Sequence, residues 1–313
     1  MPRYGPAVGW DAVNVHHGLP EESIGPVAVA IGSFDGLHLG HRHVLDRVKA
    51  AASRADGRSA VITFEPHPRC VLEPARCPKS LTTIEEKLEL LDQLGVDETV
   101  VLKFTPAVAA LSADEFMAAV GAAMDVRAVV CGPDFAFGRA RQGNPAWLGE
   151  HGFPVEVVEP LRLDGAELHS SDIRALLGAG DVPAANALLG RPFLLRGTVE
   201  HGAEIGRGLG FPTANLAVQL NKLVPAGGIY AVWVSSTFGR HQGALNIGYR
   251  PTFGGDRLTI EVFLLDFDGD LYGAQLEVEF VLRIRDEEKY GSATELADAI
   301  ARDVARTRRI LER

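Results

Sequence analysis

The sequence predicts two domains of different class: an α/β half built on a parallel sheet, then an antiparallel β-barrel with a C-terminal helix. Three observations carry that prediction. The chain has 313 residues, room for about two domains at roughly 150 residues each. In the first half, short β-branched runs alternate with amphipathic helical patterns. In the second half, such runs follow one another across turns with no helix between them.

Taken in order, Val27–Ile31, Ala60–Phe64, Thr99–Phe104, Ala128–Cys131 and Val155–Val158 are short, nearly continuous apolar runs, as strands covered on both faces are. Helical patterns lie between them. From about His41, the residues Val44, Leu45, Val48, Ala51 and Ala52 share one face. Ile84, Leu88, Leu91 and Leu94 recur at helical spacing behind a capping box read as Thr82 with Glu85. A third helix begins near Ser112, with Glu115 three residues on and Phe116, Ala119 and Val120 inside. Strand, helix and strand at these spacings predict right-handed crossovers in one parallel sheet. After Gly190, strands are expected near 194–199, 229–234, 244–247, 258–266 and 275–285, with Asp268-Gly269 marking a turn. Ser292 and Glu295 then open a final helix in which Leu296, Ile300, Val304, Thr307 and Leu311 share a face. The boundary is expected within Gly178–Gly190, where Gly, Ala and Pro cluster, which gives domains of 1–184 and 185–313.

Composition narrows the function. Hydrophobic residues at 46% and charged residues at 23% exclude a disordered or collagen-like chain. A formal charge of −10 disfavours broad contact with nucleic acid or an anionic membrane, while a local positive pocket for a small phosphorylated ligand stays open. No apolar run reaches membrane-spanning length, and Met1–Trp10 does not read as a signal peptide. Cys70, Cys77 and Cys131 fit no common zinc spacing, and their odd number argues against a disulfide framework. The expectation is a soluble cytoplasmic protein, a monomer or weak homo-oligomer.

Two segments carry chemistry. Gly32-Ser-Phe-Asp-Gly-Leu-His-Leu-Gly-His41 follows the first strand and enters a helix. Its glycines let backbone amides approach a ligand, and a helix N-terminus favours an anion. His38 and His41, three apart, can face one ligand and stabilise charge on a leaving pyrophosphate. Two histidines in a Gly-rich strand-to-helix turn point to function rather than to satisfied side chains. The second segment is Gly206-Arg-Gly-Leu-Gly-Phe-Pro-Thr-Ala-Asn215, where Gly206 and Gly208 suit phosphates as well as a barrel corner. Thr213 and Asn215 offer neutral oxygens suited to Mg²⁺ held together with phosphate. Nothing resembles a Walker A loop.

The first segment resembles the nucleotidyltransferase signature of the bifunctional riboflavin kinase/FAD synthetase family of bacteria. Thr63-Phe-Glu-Pro-His-Pro68 is similar to that family's second motif, and Gly132-Pro-Asp-Phe-Ala-Phe-Gly138 with Arg141 and Gly143 to its third. Pro212-Thr-Ala-Asn215, Gly228-Ile-Tyr-Ala231, Asn246-Ile-Gly248, Pro251-Thr-Phe253, Glu261-Val-Phe, Leu271-Tyr-Gly273 and Arg285-Asp-Glu-Glu-Lys-Tyr290 resemble the kinase motifs in order. The resemblance implies a Rossmann-like nucleotidyltransferase domain followed by an antiparallel β-barrel riboflavin kinase domain with a C-terminal helix. It implies ATP, riboflavin and FMN as substrates and Mg²⁺ as the metal.

By that likeness Gly32, Phe34, Asp35, Gly36 and Gly40 hold ATP phosphates. Asp134 and Phe135 line the nucleotide and flavin site, and Arg285 and Glu288 reach flavin in the kinase half. His67 and Pro68 fall in the flavin site too; from the residues alone, His67 is equally a residue that orients a rigid loop. Glu261 reads as an outward strand residue by pattern, and the resemblance makes it the base for the flavin's ribityl 5′-hydroxyl. The family's Ser-Ser-Thr element, a variable residue, an aliphatic and Arg align with His169, Ser170, Ser171, Asp172, Ile173 and Arg174. Ser170, Ser171 and Arg174 suit phosphate at a helix start. His169, Asp172 and Ala136 depart from the pattern. They motivate an alternative, a riboflavin kinase whose adenylyltransferase half is weakened or changed in nucleotide; a non-catalytic flavin sensor is the rival from another class.

Overall fold

The computed structural model describes residues 14–163, 165–201, 208, 210–252 and 255–312, with side chains except those of 250–252 and 255–257. Two compact units, Gly9–Ser170 and Ser171–Arg313, divide the chain.

In the first unit the strands are β1 (Asn14–His17), β2 (Pro26–Ile31), β3 (Arg58–Glu65), β4 (Glu98–Lys103), β5 (Asp125–Cys131) and β6 (Val155–Val157). They form one sheet in the order β1-β4-β3-β2-β5-β6 with every pair parallel. The helices are α1 (Leu39–Arg54), α2 (Pro68–Leu72), α3 (Ile84–Gln93), α4 (Pro106–Ala110), α5 (Ala113–Ala123) and α6 (Pro145–Glu150). Alternate residues of β2 explain the two layers. Val27, Val29 and Ile31 pack on one face with Phe116, Met117 and Val120 of α5. Ala28 and Ala30 pack on the other with Leu45, Val48 and Ala52 of α1 and Leu91 of α3. A short antiparallel pair, β7 (Arg162–Leu163) and β8 (Ala166–Glu167), follows the sheet.

The second unit begins with α7 (Ser170–Ala179), whose Ser170 belongs to the first unit, and α8 (Val182–Leu189). Its strands are β9 (Phe193–Glu200), β10 (Ala214–Val218), β11 (Gly228–Ser236), β12 (Gly239–Thr252), β13 (Gly255–Leu264) and β14 (Gln275–Arg285). They close an antiparallel barrel in the order β10-β13-β12-β11-β14-β9, β9 pairing back with β10. Phe193, Tyr230, Phe280 and Leu245 fill it. Helix α9 (Ala293–Leu311) ends the chain. Closure removes both sheet edges.

Several expectations are adjusted. The capping box of α3 is Thr83 with Glu86, one residue later than read from the sequence. Thr82 is diverted because its amide and hydroxyl both donate to Asp35. Residues 178–190 hold α8, capped by Asp181 and ended by Gly190 in the left-handed conformation. Cys70 and Cys77 form a disulfide, contrary to the expectation from their odd number. The short α2 and the turn after it bring the pair together, and Cys131 is the buried free thiol. On α9 the buried stripe runs through Ala299, Asp303, Thr307 and Leu311, rotated from the expected face because Asp303 accepts from Arg285 of the barrel. Strands β1 and β10 have no counterpart in the sequence reading.

At the amino end of the sheet, buried Glu98 accepts from His16 Nε2 at 2.7 Å, from Asn14 Nδ2 at 3.0 Å and from Arg58. This carboxylate joins β1, β3 and β4. Glu98→Ala is expected to lower stability by about 2 kcal/mol, the scale of lost hydrogen bonds to a charged group, because Arg58 and His16 stay partly exposed to water. Denaturant unfolding of the full chain checks this.

Candidate active sites

The strand order reverses between β2 and β5: the chain moves from β2 to β3 on one side, then to β5 and β6 on the other. In open α/β sheets ligands bind outside the carboxyl ends of strands at such a switch point. A cavity of about 390 Å³ lies there, walled by the turn after β2, including Gly32 and Phe34, and by the segment after β5, including Asp134 and Phe135.

His38 is the N-cap of α1, its Nδ1 accepting from the amide of His41 at 3.4 Å. An imidazole that accepts through Nδ1 carries its proton, when neutral, on Nε2. His41 stacks on His38 with centroids 3.7 Å apart and meets the edge of Phe34 at 5.3 Å. Gly40 permits the stack: a Cβ there would lie 3.1 Å from the His38 ring. Burial holds His41 well below its ordinary 6.5, and the charges of His38 and Lys87 push the same way. Its Nδ1 is buried without a hydrogen-bond partner among the described residues. His41 therefore presents a neutral ring, stacked on His38 at a helix N-terminus, able to donate to phosphate oxygens without an attached counter-charge.

The remaining candidates of this half divide. Gly32, Phe34, His38, Gly40, His41, Asp134, Phe135 and Ser170 line the cavity. Asp35 does not: its buried carboxylate accepts from the amides of Leu81 and Thr82 and from the Thr82 hydroxyl. Gly36, at φ 82°, directs its amide to Thr82 Oγ1. Both anchor the turn rather than face the cavity. Ser170 donates to the Asp35 carbonyl at 3.0 Å. His67 caps α2, with Nδ1 accepting from Arg69 at 3.1 Å and Pro68 opening the helix; neither lines the cavity. Ser171 and Arg174 stand on α7 in the second unit. The sequence reading missed Glu159 and Glu167 in the cavity wall, and Lys87 beneath the turn. Lys87 had a signal: it stands on the same helical face as Ile84 and Leu91.

The second candidate site lies on the outer face of the barrel. Glu261 on β13 is directly opposite Asn215 on β10 and Asn246 on β12, so the three side chains form one row across three strands. Their neighbours Ala214, Leu216, Val262, Leu245 and Ile247 point inward and are buried. Thr213 Oγ1 donates to Glu261 Oε2 at 3.4 Å. Asn246 Oδ1 is buried without a partner among the described residues. Gly208 is exposed with nothing near its Cα substituent position, and Gly206 lies outside the described residues.

No group of three or more His, Cys, Asp or Glu able to hold a metal occurs among the described residues. The oxygen donors present, with one carboxylate and an orphaned amide oxygen beside it, fit a hard cation held largely by phosphate. Arg285 forks onto buried Asp303 of α9, Nε to Oδ1 at 3.0 Å and Nη2 to Oδ2 at 2.6 Å. Glu288 lies 3.7 Å from the same guanidinium and accepts from Tyr290. Arg285 thus ties the end of β14 to α9, and with Glu288 lines a cleft that also holds Arg302 and Arg306.

Comparison with known proteins bears on both halves. A family model described as FAD synthetase matches residues 21–172, and one described as riboflavin kinase matches 189–311. A bifunctional riboflavin kinase/FMN adenylyltransferase of Bacillus subtilis is 38% identical, over 92% of this chain and 93% of the relative. One from Pseudomonas fluorescens is 38% identical over 93% and 95%. A solved structure described as a macrolide-efflux protein from Streptococcus pneumoniae superposes with a TM-score of 0.87 at 31% identity, covering 95% of this chain and 99% of that one. In the chain described here, no helix among the described residues is long and apolar enough to cross a membrane.

The buried histidine pair gives a measurable consequence. An imidazole in the unfolded chain takes up its proton near pH 6.5, whereas His41 in the fold does so only well below. The unfolded state therefore binds more protons in that interval, and stability falls as pH drops below about 6.5. NMR titration of the His41 ring should show it neutral at pH 6.5.

Proposed function

The chain belongs to the bifunctional riboflavin kinase/FMN adenylyltransferase family, and we propose that residues 185–313 make FMN and residues 1–184 convert it to FAD. The reading is supported by two differently built sites on one chain: a switch-point cavity with a stacked histidine pair, and a carboxylate between two asparagines on a barrel wall. The substrates are ATP, riboflavin and FMN. We assign both reactions to the cytoplasm.

In the barrel, Glu261 accepts the proton of the ribityl 5′-hydroxyl as that oxygen bonds to the γ-phosphorus of ATP and the bond to the bridging oxygen of ADP breaks. Asn215 and Asn246 flank Glu261 in its row, and Thr213 donates to its carboxylate. Gly206 and Gly208 serve the phosphates through their amides. Thr213 and Asn215 would hold Mg²⁺, which supplies charge neutralisation to phosphate oxygens when bound. Arg285 and Glu288 bind flavin from the β14 end, with Arg285 oriented by Asp303.

In the parallel-sheet half, an FMN phosphate oxygen bonds to the α-phosphorus of ATP while the bond to the bridging oxygen of pyrophosphate breaks. No covalent enzyme intermediate is needed. His38 and His41 donate to the phosphate oxygens that gain charge, and the N-terminus of α1 adds its partial positive charge. Ser170, Ser171 and Arg174 serve phosphate in the same reaction; Asp134 and Phe135 orient the nucleotide and flavin. His67 and Pro68 act on the flavin side. Asp35 and Gly36 act by shaping the turn.

Full-length protein incubated with riboflavin, ATP and Mg²⁺, with flavins separated over time, tests both halves. His41→Ala is expected to slow FAD formation about 100-fold or more while FMN formation is unchanged, and Glu261→Gln to do the reverse when FMN is supplied as substrate for the other half. Wild-type protein that makes FMN alone would favour the weakened-adenylyltransferase alternative. Equal loss of both activities in folded His41→Ala would sink the division of labour.

A further inference from the structure

We propose that Lys87 is a positioning residue for adenylyl transfer: its buried ammonium clamps the Ser33 carbonyl and the Thr63 hydroxyl and thereby holds the Ser33–Phe34 peptide in its nucleotide-facing conformation. This rests on the reading of the first half as an adenylyltransferase.

Lys87 lies near the start of α3 and is 5% exposed. That position opposes a lysine twice. Lysine is almost never fully buried without partners, and a cation near a helix N-terminus meets the unfavourable end of its dipole. The partners are specific. Nζ donates to the Ser33 carbonyl at 2.7 Å and to Thr63 Oγ1 at 3.2 Å, and Thr63 Oγ1 donates to the same carbonyl at 3.2 Å. Burial lowers the pKa of Lys87, opposed by the charges of Asp35 from the phosphate turn and Glu65 from the end of β3.

The consequence reaches the cavity through the backbone. The carbonyl and amide of a trans peptide point in opposite directions. A Ser33 carbonyl fixed on Lys87 therefore turns the Phe34 N–H away from α3. Phe34 itself has φ 45°, a region that a bulky residue occupies only when its surroundings enforce it. On the other side, the Gly32 amide is fixed to the Ile62 carbonyl at 3.0 Å. The buried Phe34 ring meets His41 edge-on at 5.3 Å, so displacing this peptide displaces a catalytic candidate. Lys87 does not line the cavity; it acts through Phe34 and His41, and its charge favours the neutral ring of His41.

The test uses the full chain, with kcat and KM for FMN-to-FAD conversion measured across pH and riboflavin-to-FMN conversion as the internal control. K87M keeps most of the side-chain volume and removes the charge. FAD formation is expected to lose about 100-fold in kcat, the scale of a misplaced reacting geometry, with KM for ATP within about threefold. FMN formation should not change. Losing a repelling cation raises the His41 pKa, so the acid limb of the FAD profile moves to higher pH in K87M. His38 and the other titratable groups of the cavity, His43, Cys131, Asp134, Glu159, Glu167 and His169, are shared by both proteins and cancel in the comparison.

Thr63→Val removes one hydroxyl from the same network and should lower kcat about tenfold. K87M with kcat for FAD within about threefold of wild type and an unmoved acid limb overturns the proposal. If K87M does not fold, Thr63→Val decides, and an unchanged kcat overturns it. Wild-type protein that makes FMN but no FAD overturns the reading of the first half instead. In that event NMR decides on Lys87: an unchanged Phe34 amide resonance and an unchanged His41 titration in K87M overturn its role.

Discussion

A turn proposed to bind phosphate must direct its amides at a ligand and not at itself, and the first half of this chain holds the turn after β2 open from below. Between β2 and α1, Phe34 and Leu37 take φ of 45° and 41°, conformations that cost on the order of 1 kcal/mol or more each. Two buried charges compensate from beneath. Asp35 accepts from the amides of Leu81 and Thr82, and Lys87 donates to the Ser33 carbonyl. The anchors lie outside the cavity, while Gly32, Gly40, His38 and His41 line it. Removing an anchor leaves the ligand-facing groups present but misdirected.

The barrel solves the corresponding problem with regular structure. Glu261 is held by the ladder itself, since Asn215 and Asn246 are its register partners on either side. A closed barrel cannot slip its register without opening an edge, so the row is fixed by the same hydrogen bonds that stabilise the fold. Asp303 extends this logic to α9, where a buried carboxylate holds Arg285 in a planar fork. One half thus builds its site on a strained loop with buried anchors, the other on unstrained strands.

Much of this is legible in the amino-acid sequence. The runs at Val27–Ile31, Ala60–Phe64 and Ala128–Cys131 became β2, β3 and β5, and Gln275–Arg285 became β14 with the same limits, because buried strands write continuous apolar patterns. Edge strand β1 stayed hidden: Asn14–His17 is half exposed and carries no apolar run. β10 stayed hidden because Pro212-Thr-Ala-Asn215 reads as a loop motif while Ala214–Val218 pairs in the barrel. The Thr82/Glu85 box slipped by one residue because a distant carboxylate, Asp35, competes for Thr82. The disulfide of Cys70 with Cys77 depends on a local fold that a count of cysteines does not describe.

The sequence by itself determined the two-part architecture, the strand-to-helix turn with its two histidines, and the order of motifs that aligns both halves with one family. These are properties of local pattern: hydrophobic period, glycine placement and residue type at short spacing. The tertiary structure alone decided that Asp35 anchors while His38 and His41 face the cavity. It also decided that Asn246 stands beside Glu261, that Arg285 is engaged by Asp303, and that Lys87 lies under the Ser33 carbonyl. Each of those facts joins residues 18 to 54 positions apart in the chain, or across a strand pair. Packing in three dimensions sets the direction of a buried polar side chain, because only there does its partner come within hydrogen-bonding distance.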